Sequence, residues 1–290
     1  MIPEGAFVLG AEATPAPLRA YAKTASTYET WRLGLPAREG FVVTRWSEGI
    51  ASWLGEAIRQ KGWKKVLVRT DSSEERGSYM RGGFQIEARE VDARVPEILA
   101  MGRIVSLLEP SDRHENLYGI NLLLPNGKAE AILEIVGPGF DVSDINRGDV
   151  TPHERIRLLC YADRVLPAVL SRHLVTPEDY AISKRLRLEK IGRSLTTGAP
   201  LSPGDLAGAG EEHLRKIDRT LLLDQEAYAP LPESLLRRYV DLVRDLPWRL
   251  GWGSQEREFV VSASVLPGGS EPRMVFWDIV RPSTKYVLPI

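Results

Sequence analysis

Val66-Leu67-Val68 is a short apolar run, rich in β-branched residues, that ends abruptly in Arg69. A chain of this kind has to bury such a run in a sheet while leaving a guanidinium at the strand's end. The run gives way to Thr70-Asp71-Ser72-Ser73-Glu74-Glu75-Arg76-Gly77, and then to Ser78-Tyr79-Met80-Arg81-Gly82-Gly83-Phe84. An arginine at a strand end beside a glycine-containing loop suits a polyphosphate. The guanidinium forks onto phosphate oxygens, and backbone N–H groups unhindered by a Cβ can approach the anion. No GxxxxGK[ST] motif occurs in the chain, so this is not a P-loop. A strand that ends in a solvated loop with a surface arginine fits the same residues, and the rest of the chain has to decide.

The 290 residues allow one large or two modest domains with ample core. Charged residues make up 27% and hydrophobic ones 43%, ordinary for a soluble globular protein. A formal net charge of -1 gives no general attraction to nucleic acid or to an acidic membrane. Cys160 is the only cysteine, which excludes an intrachain disulfide and a cysteine-based zinc site and fits a reducing, cytoplasmic setting. The first residues lack the basic and apolar regions of a signal peptide, and no run reaches membrane-spanning length. No membrane partner is expected.

Along the chain, Ala20 to Leu33 predicts a helix containing Lys23, broken by Gly34-Leu35-Pro36. Gly40 to Thr44 predicts a strand. Ser47 caps a helix from Glu48 to Lys61 with Ile50, Trp53, Leu54, Ala57 and Ile58 on one face. Lys65–Arg69 and Phe84 to Ala88 are extended, and Val95 to Leu108 predicts an aliphatic helix. Leu117 to Leu124 and Ala129 to Val136 form strands joined by Pro125-Asn126-Gly127, a hairpin signal. The polar run Gly137 to Asp149 follows, dense in acid, amide and arginine groups. It reads either as a metal or substrate loop or as a cluster of Asx turns. Thr151-Pro152-His153-Glu154 has the cap, first-turn proline and acid of a helix start, so residues 154–246 are expected to be mainly helical. His153 is then a helix-start residue, not a catalytic base. Ser183 to Arg193 is basic without interleaved aromatics, and reads as a solvated helix face in preference to a nucleic-acid contact. Trp31, Trp46, Trp53 and Trp63 read as packing residues. Phe259–Leu266 and Met274–Val280 predict a closing strand pair around Pro267-Gly268-Gly269. Early strands, a helical middle and a terminal strand pair make an α+β protein.

Three blocks resemble, in the right order, the nucleotide-binding domain of the phosphoenolpyruvate synthase and pyruvate phosphate dikinase family, an ATP-grasp domain. Tyr21-Ala22-Lys23-Thr24-Ala25-Ser26 with Leu33-Gly34-Leu35-Pro36-Ala37-Arg38-Glu39-Gly40-Phe41-Val42-Val43-Thr44 is similar to the family's Gly-Gly-Lys-x-x-x-Leu and Gly-x-Pro-Val-Pro-x-Gly-Phe-Val-x-Thr. Val68-Arg69-Thr70-Asp71-Ser72-Ser73 with Ser78 to Phe84 resembles Val-Arg-Ser-Ser-Ala and Ala-Ser-Phe-Ala-Gly-Gln. Phe259 to Val265 with Met274-Val275-Phe276-Trp277-Asp278-Ile279-Val280-Arg281-Pro282 resembles the family's last strands, which end in Leu-Gln-x-Arg-Pro. The likeness covers roughly residues 20–150 and 255–285.

The resemblance implies that Lys23, Arg69 and Arg281 contact ATP phosphates; Arg81 either contacts phosphate as well or merely decorates the loop. Three separated cations can converge to neutralise a triphosphate and hold the transferring group in line. Glu134 falls where the family's strand passes the adenine, where the backbone reads the base and the side-chain role stays open. Two departures stand out. Tyr21-Ala22 replaces the first glycine pair, and Ser262 and Ser264 stand where the penultimate strand should carry an acid for magnesium. Asp278 on the partner strand, or Asp141, Asp144 and Asn146 in the loop, would supply the oxygen ligands instead. The phosphohistidine and pyruvate-binding domains have no counterpart here. Histidines 114, 153, 173 and 213 lie in no Thr-x-His setting of the phosphohistidine-domain kind, Thr151-Pro152-His153 reading as a helix start, so no double phosphoryl relay within the chain is expected.

The expectation is therefore an ATP-grasp-like two-lobe α+β fold with a helical middle. Residues 1–150 form the N-terminal lobe, 151–255 a mainly helical segment and 256–290 a closing strand pair. Its function would be Mg-ATP-dependent phosphoryl transfer to a small-molecule acceptor, with Arg69, Arg281 and Asp144 as the catalytic set. Two alternatives stand beside it: a carboxylate–amine ligase working through an acyl phosphate, and a nucleotide-binding or scaffolding module without turnover. A separate phospho-carrier or partner protein is compatible with the first.

Overall fold

Alternating burial along three short runs builds the first sheet. Phe41 and Val43 enter one core while Val42 enters another, Val66 and Val68 oppose Leu67, and Val105 and Leu107 oppose Ile104 and Leu108. The computed structural model describes residues 1–10, 12–73, 84–110, 115–125, 129–140, 142, 145, 152–175, 228–251 and 259–280. In chain order the elements are β1 (Ala6–Val8), α1 (Ala22–Arg32), β2 (Gly40–Val43), α2 (Glu48–Gln60), β3 (Lys65–Asp71), β4 (Phe84–Glu87), α3 (Val91–Ala100), β5 (Ile104–Leu108), β6 (Tyr118–Leu124), β7 (Glu130–Val136), β8 (Glu154–Cys160), β9 (Val165–Leu174), α4 (Glu233–Val243), α5 (Leu246–Arg249), β10 (Phe259–Leu266) and β11 (Arg273–Val280). The mixture is α+β. Two units separate in the chain, Met1–Glu115 with Phe259–Arg281, and Asn116–Glu258 with Pro282–Ile290.

In the first unit the sheet runs β1-β2-β5-β3-β4 with every neighbour antiparallel. On the face of Val66 and Val68, α2 packs through Ile50, Leu54 and Ile58, and α3 through Val91, Val95 and Ile98. Ser47 accepts a hydrogen bond from the Ile50 amide at 3.3 Å, so the expected cap of α2 is in place. Trp53 and Trp63 meet Phe41 with ring centroids 5.4 and 5.8 Å apart, and Trp46 packs on the same core. Those tryptophans are packing residues. Gly40 sits so close to β5 that a Cβ there would lie 2.5 Å from the Leu107 carbonyl oxygen. On the opposite face lies α1, which also touches β11 of the β10–β11 hairpin.

One expected helix is in fact two elements. Val95 to Leu108 was expected to be a single helix, but α3 ends at Ala100 and the chain turns at Gly102 with φ +73° before β5 begins. Ile104-Val105-Ser106-Leu107-Leu108 is buried at every position because it is flanked by β2 and β3. A strand buried on both faces loses its polar alternation and cannot be told from a buried helix by period.

The second unit is built on the antiparallel order β6-β7-β8-β9. Here the helix expected to open at Thr151-Pro152-His153-Glu154, and the helical middle with it, is corrected: residues 154–160 and 165–174 are strands. Ile156, Leu158 and Cys160 point into the core while Arg155 and Arg157 point out, a period of two that outweighs the cap-like start. Helix does follow at α4, which buries Leu235, Leu236, Tyr239, Val240 and Val243. Residues 176–227 lie outside the described residues, and with them the basic stretch Ser183 to Arg193. Glu154, fully buried, is held by Arg172, by the Tyr228 hydroxyl at 2.5 Å and by the Leu231 amide at 3.0 Å. Three donors satisfy a carboxylate that burial alone would expel. Arg172 also donates to the Leu231 carbonyl, so the segment leading into α4 is tied to the sheet. Among the described residues no helix is long and apolar enough to cross a membrane.

Cys160 is fully buried, and burial, with Asp163 nearby, pushes its thiol up to about 12. The thiolate is the reactive form. The native protein is expected to leave a thiol-specific disulfide reagent unreacted at pH 8 and to consume one equivalent once unfolded in guanidinium; rapid reaction of the native protein would contradict this packing.

Candidate functional site

The polar cluster of the first unit begins with a helix that cannot cap itself. Tyr21 occupies the cap position of α1 without a side-chain hydrogen bond, and no acid stands in the first turn. The cap comes from β3 instead. Leu67, Arg69 and Asp71 share the sheet face that looks at α1, because side chains two apart project the same way. Asp71, 2% exposed, accepts the Thr24 amide at 2.9 Å through Oδ2 and the Ser72 amide at 3.0 Å through Oδ1. Lys23, 6% exposed, donates from Nζ to the Thr70 carbonyl at 2.9 Å. Thr27 and Thr30 turn inward and satisfy their hydroxyls on the carbonyls four residues back, of Lys23 and Ser26. The buried side of α1 is thus largely polar.

Arg69 lies on the same face. Its Nη1 is 3.5 Å from Thr27 Oγ1, and its Nη2 pairs with Asp278 Oδ2, the two side chains being 16% and 19% exposed. Asp278 reaches this place through a β-bulge. Ser262 pairs with Asp278 and Ala263 with Phe276, so Trp277 is an extra residue in β11. The alternation that a regular strand would impose on Phe276, Asp278 and Val280 is therefore broken, and a bulge of this kind re-aims the side chains beside it. Trp277 lies under the Arg38 guanidinium, 4.2 Å from its ring centroid, and donates from its indole to Ser264 Oγ at 2.7 Å. Ser26 both donates to the Ile279 carbonyl at 3.0 Å and accepts its amide at 2.9 Å. Asp278 Oδ1 is buried and has no hydrogen-bond partner among the described residues.

Of the residues singled out in sequence, the structure brings Lys23, Arg69 and Asp278 together. Each is already engaged, Lys23 with a carbonyl and the other two with each other. Ser262 and Ser264 are buried, and Ser262 lies opposite Asp278. Arg81, Asp141, Asp144, Asn146 and Arg281 lie outside the described residues. Among the described residues no three acidic, histidine or cysteine groups cluster as a metal site. The orphaned Asp278 oxygen fits one magnesium ligand position, which suits an ion that takes one or two carboxylates and completes its shell from phosphate and water.

Three residues of the cluster escaped sequence reasoning. Asp71 caps a helix 47 residues away in sequence, and no local pattern reports that. Arg38 is 2% exposed and donates to the Glu109 and Pro110 carbonyls at 3.0 and 3.2 Å while stacking on Trp277. Arg103 donates to Thr70 Oγ1 at 3.3 Å. The only foreshadowing was that Arg38 and Asp71 lie within the family-like blocks.

Glu134 belongs to the second unit. It is 7% exposed and accepts from Arg155 Nε at 3.1 Å. Burial raises its carboxyl above the ordinary carboxylate range, and the attraction of Arg155 only partly offsets this. His153 ends no helix start. Its Nδ1 accepts the Gly137 amide at 3.2 Å and its ring stacks on Tyr228 with centroids 5.0 Å apart, so it packs within the second core.

No family model matches the chain, and no curated protein matches it. Among solved structures, a D-cycloserine synthetase, DcsG, superposes with a TM-score of 0.31 at 18% identity, covering 60% of this chain and 73% of its own. A D-alanyl-alanine synthetase A from Vibrio cholerae superposes with a TM-score of 0.36 at 10% identity, covering 94% of this chain; this chain spans 58% of that structure's length.

Two measurements follow from this geometry. Asp71→Ala leaves the α1 N-terminus without an acceptor, and the loss of a buried cap should cost about 2 kcal/mol in a denaturant titration. A loss under a few tenths would show that Asp71 does not hold the helix. For Glu134 the raised folded value means that the folded state binds its proton more tightly than the unfolded chain does. Its contribution to stability is full below the ordinary value of 4.5 and is lost as pH rises through the raised value. Glu134→Gln should flatten that segment of the stability–pH curve, and an unchanged slope would count against the desolvated carboxyl.

Proposed function

We propose that the chain binds Mg-ATP in an ATP-grasp-like site and transfers the terminal phosphoryl group to a small-molecule acceptor. Support comes from one observation above all. The regions of Lys23, Arg69 and Asp278, the same three blocks that carry the family resemblance, are hydrogen-bonded into one cluster although they lie up to 253 residues apart. In this reading Arg69 exchanges Asp278 for phosphate oxygens, and its planar fork suits them. Lys23 adds a second cation near the end of β3, and Arg281 a third from beyond β11. Asp278, released from Arg69, offers its oxygens to magnesium. ATP supplies the phosphoryl group. The residues hold it in line and neutralise the charge that spreads over its oxygens, so no protein nucleophile is required.

Where the acceptor is a carboxylate, the product of that transfer is an acyl phosphate. An amine that attacks it, releasing phosphate, makes the overall reaction a carboxylate–amine ligation. Both readings share the same first step and the same residues. The fully engaged state of Lys23, Arg69 and Asp278 also fits a binding module without turnover.

The test is calorimetric titration of Mg-ATP into the wild type, Arg69→Ala and the double variant Arg69→Gln/Asp278→Asn. Removing one partner of a buried pair costs ~3–5 kcal/mol, whereas the double variant leaves no lone charge behind and is expected to stay folded. Wild type should bind and both variants should not. A folded wild type that does not bind ATP sinks the nucleotide reading. Release of ADP with an acid alone marks a kinase, and release only with acid plus amine marks a ligase. Binding with neither leaves a module without turnover.

A further inference from the structure

The outward face of the second unit's sheet carries a polar row. Asn121 on β6 pairs with Glu134 on β7, Glu134 with Arg155 on β8, and Arg155 with His173 on β9. The row crosses a sheet whose opposite face is core: Ile120, Leu122, Leu133, Ile135, Ile156 and Leu158 are buried there. Within the row, Asn121 and Glu134 are themselves buried, 2% and 7% exposed, while the Arg155 side chain is 31% exposed. A carboxylate buried to that degree is costly, and Arg155 is the cation that meets it.

What distinguishes Arg155 is how little of it Glu134 uses. The guanidinium is held through Nε alone, at 3.1 Å, and its two terminal nitrogens make no hydrogen bond among the described residues. Arg157 shows the contrast on the same strand and face. Glu130 takes its Nε at 3.0 Å and its Nη2 at 2.6 and 2.5 Å, closing the fork onto one carboxylate. An arginine fixed at Nε with its Nη1 and Nη2 edge presented is oriented to receive a two-oxygen anion end-on. Because the orienting group is rigid and buried, little side-chain entropy remains to be lost on binding.

We propose that Arg155, oriented by Glu134, is an anion-binding residue on this face, and that its ligand is a carboxylate, whose two oxygens match the free edge of the fork. A phosphate group offers the same pair of oxygens, so the probes have to separate the two.

The experiment is a titration of ¹⁵N-arginine-labelled protein with acetate and, separately, with inorganic phosphate, reading the side-chain Nε–H resonances. The Arg155 resonance, assigned by its absence in Arg155→Lys, should move with acetate and saturate in the millimolar range. Arg157→Gln should leave that titration unchanged, and Glu134→Gln, which loosens the orienting contact, should weaken it by ~10-fold. Movement with phosphate and none with acetate overturns the carboxylate assignment. No movement with either probe, or equal movement after Glu134→Gln, overturns the site. If the wild type fails to bind ATP yet Arg155 still titrates with acetate, the nucleotide reading falls and the anion site stands.

Discussion

The first unit depends on a helix that borrows its cap. α1 begins at a tyrosine and carries no acid in its first turn, so its leading amides have no partner of their own. Asp71 provides one from the end of β3, and the Lys23 ammonium returns to the carbonyl of the preceding residue, Thr70. Helix and strand are thereby locked in both translation and register by two contacts between adjacent residue pairs. The rest of the cluster follows from that lock. With α1 fixed on the sheet, Thr27 stands beside Arg69 and Ser26 beside the backbone of β11, and the bulged strand can deliver Asp278 to the guanidinium.

A polar interior of this kind is a poor route to stability. An alkyl pair in place of Arg69 and Asp278 would avoid two desolvation costs, and such replacements are often neutral or stabilising. The same holds for Thr27 and Thr30 on the buried side of α1, whose hydroxyls donate back to their own helix, Thr27 meeting Arg69 besides at 3.5 Å. Here the polar groups lie in one layer, between a sheet and a hairpin that each have apolar residues to spare. An arrangement that forgoes hydrophobic contact at the place where three distant segments meet is the ground on which a chemical role is proposed for it.

Much of the first unit was legible because its signals are local. Val66-Leu67-Val68 alternates into two cores, Ser47 caps the helix it precedes, and the last strand pair closes where its turn residues indicate. What failed did so for definite reasons. β5 is buried on both faces, so its aliphatic run imitated a helix. Glu154 imitated a first-turn acid but is the inward end of β8, and the alternation of Arg155 and Arg157 with Ile156 and Leu158 was the stronger signal. Within the site, Lys23, Arg69 and Asp278 could be named from motif and position. That Asp278 would be aimed by an extra residue in its strand, or that Asp71 would serve a helix far upstream, depends on tertiary register, which no window of sequence contains.

One device recurs through both units: an arginine met by a carboxylate of another strand. Its instances differ in how much of the guanidinium is consumed. Arg157 has its fork closed by Glu130, and Arg172 is divided between Glu154 and the Leu231 carbonyl, so both act as ties between segments. Arg69 gives one nitrogen to Asp278 and lies at the limit of hydrogen-bonding distance from Thr27 with another. Arg155 gives Nε alone. Each further nitrogen committed inside the fold is one fewer for a ligand and makes the side chain harder to displace. By that measure Arg157 and Arg172 are ties, while in the proposed roles Arg69 would have to change partners and Arg155 would not. The partners also differ in depth: Glu154 is fully buried, Glu134 nearly so, Asp278 partly, and Glu130 the least. Burial of the carboxylate fixes the direction in which the guanidinium can point, while the carboxylate's own need for a cation keeps the arginine from collapsing onto the surface.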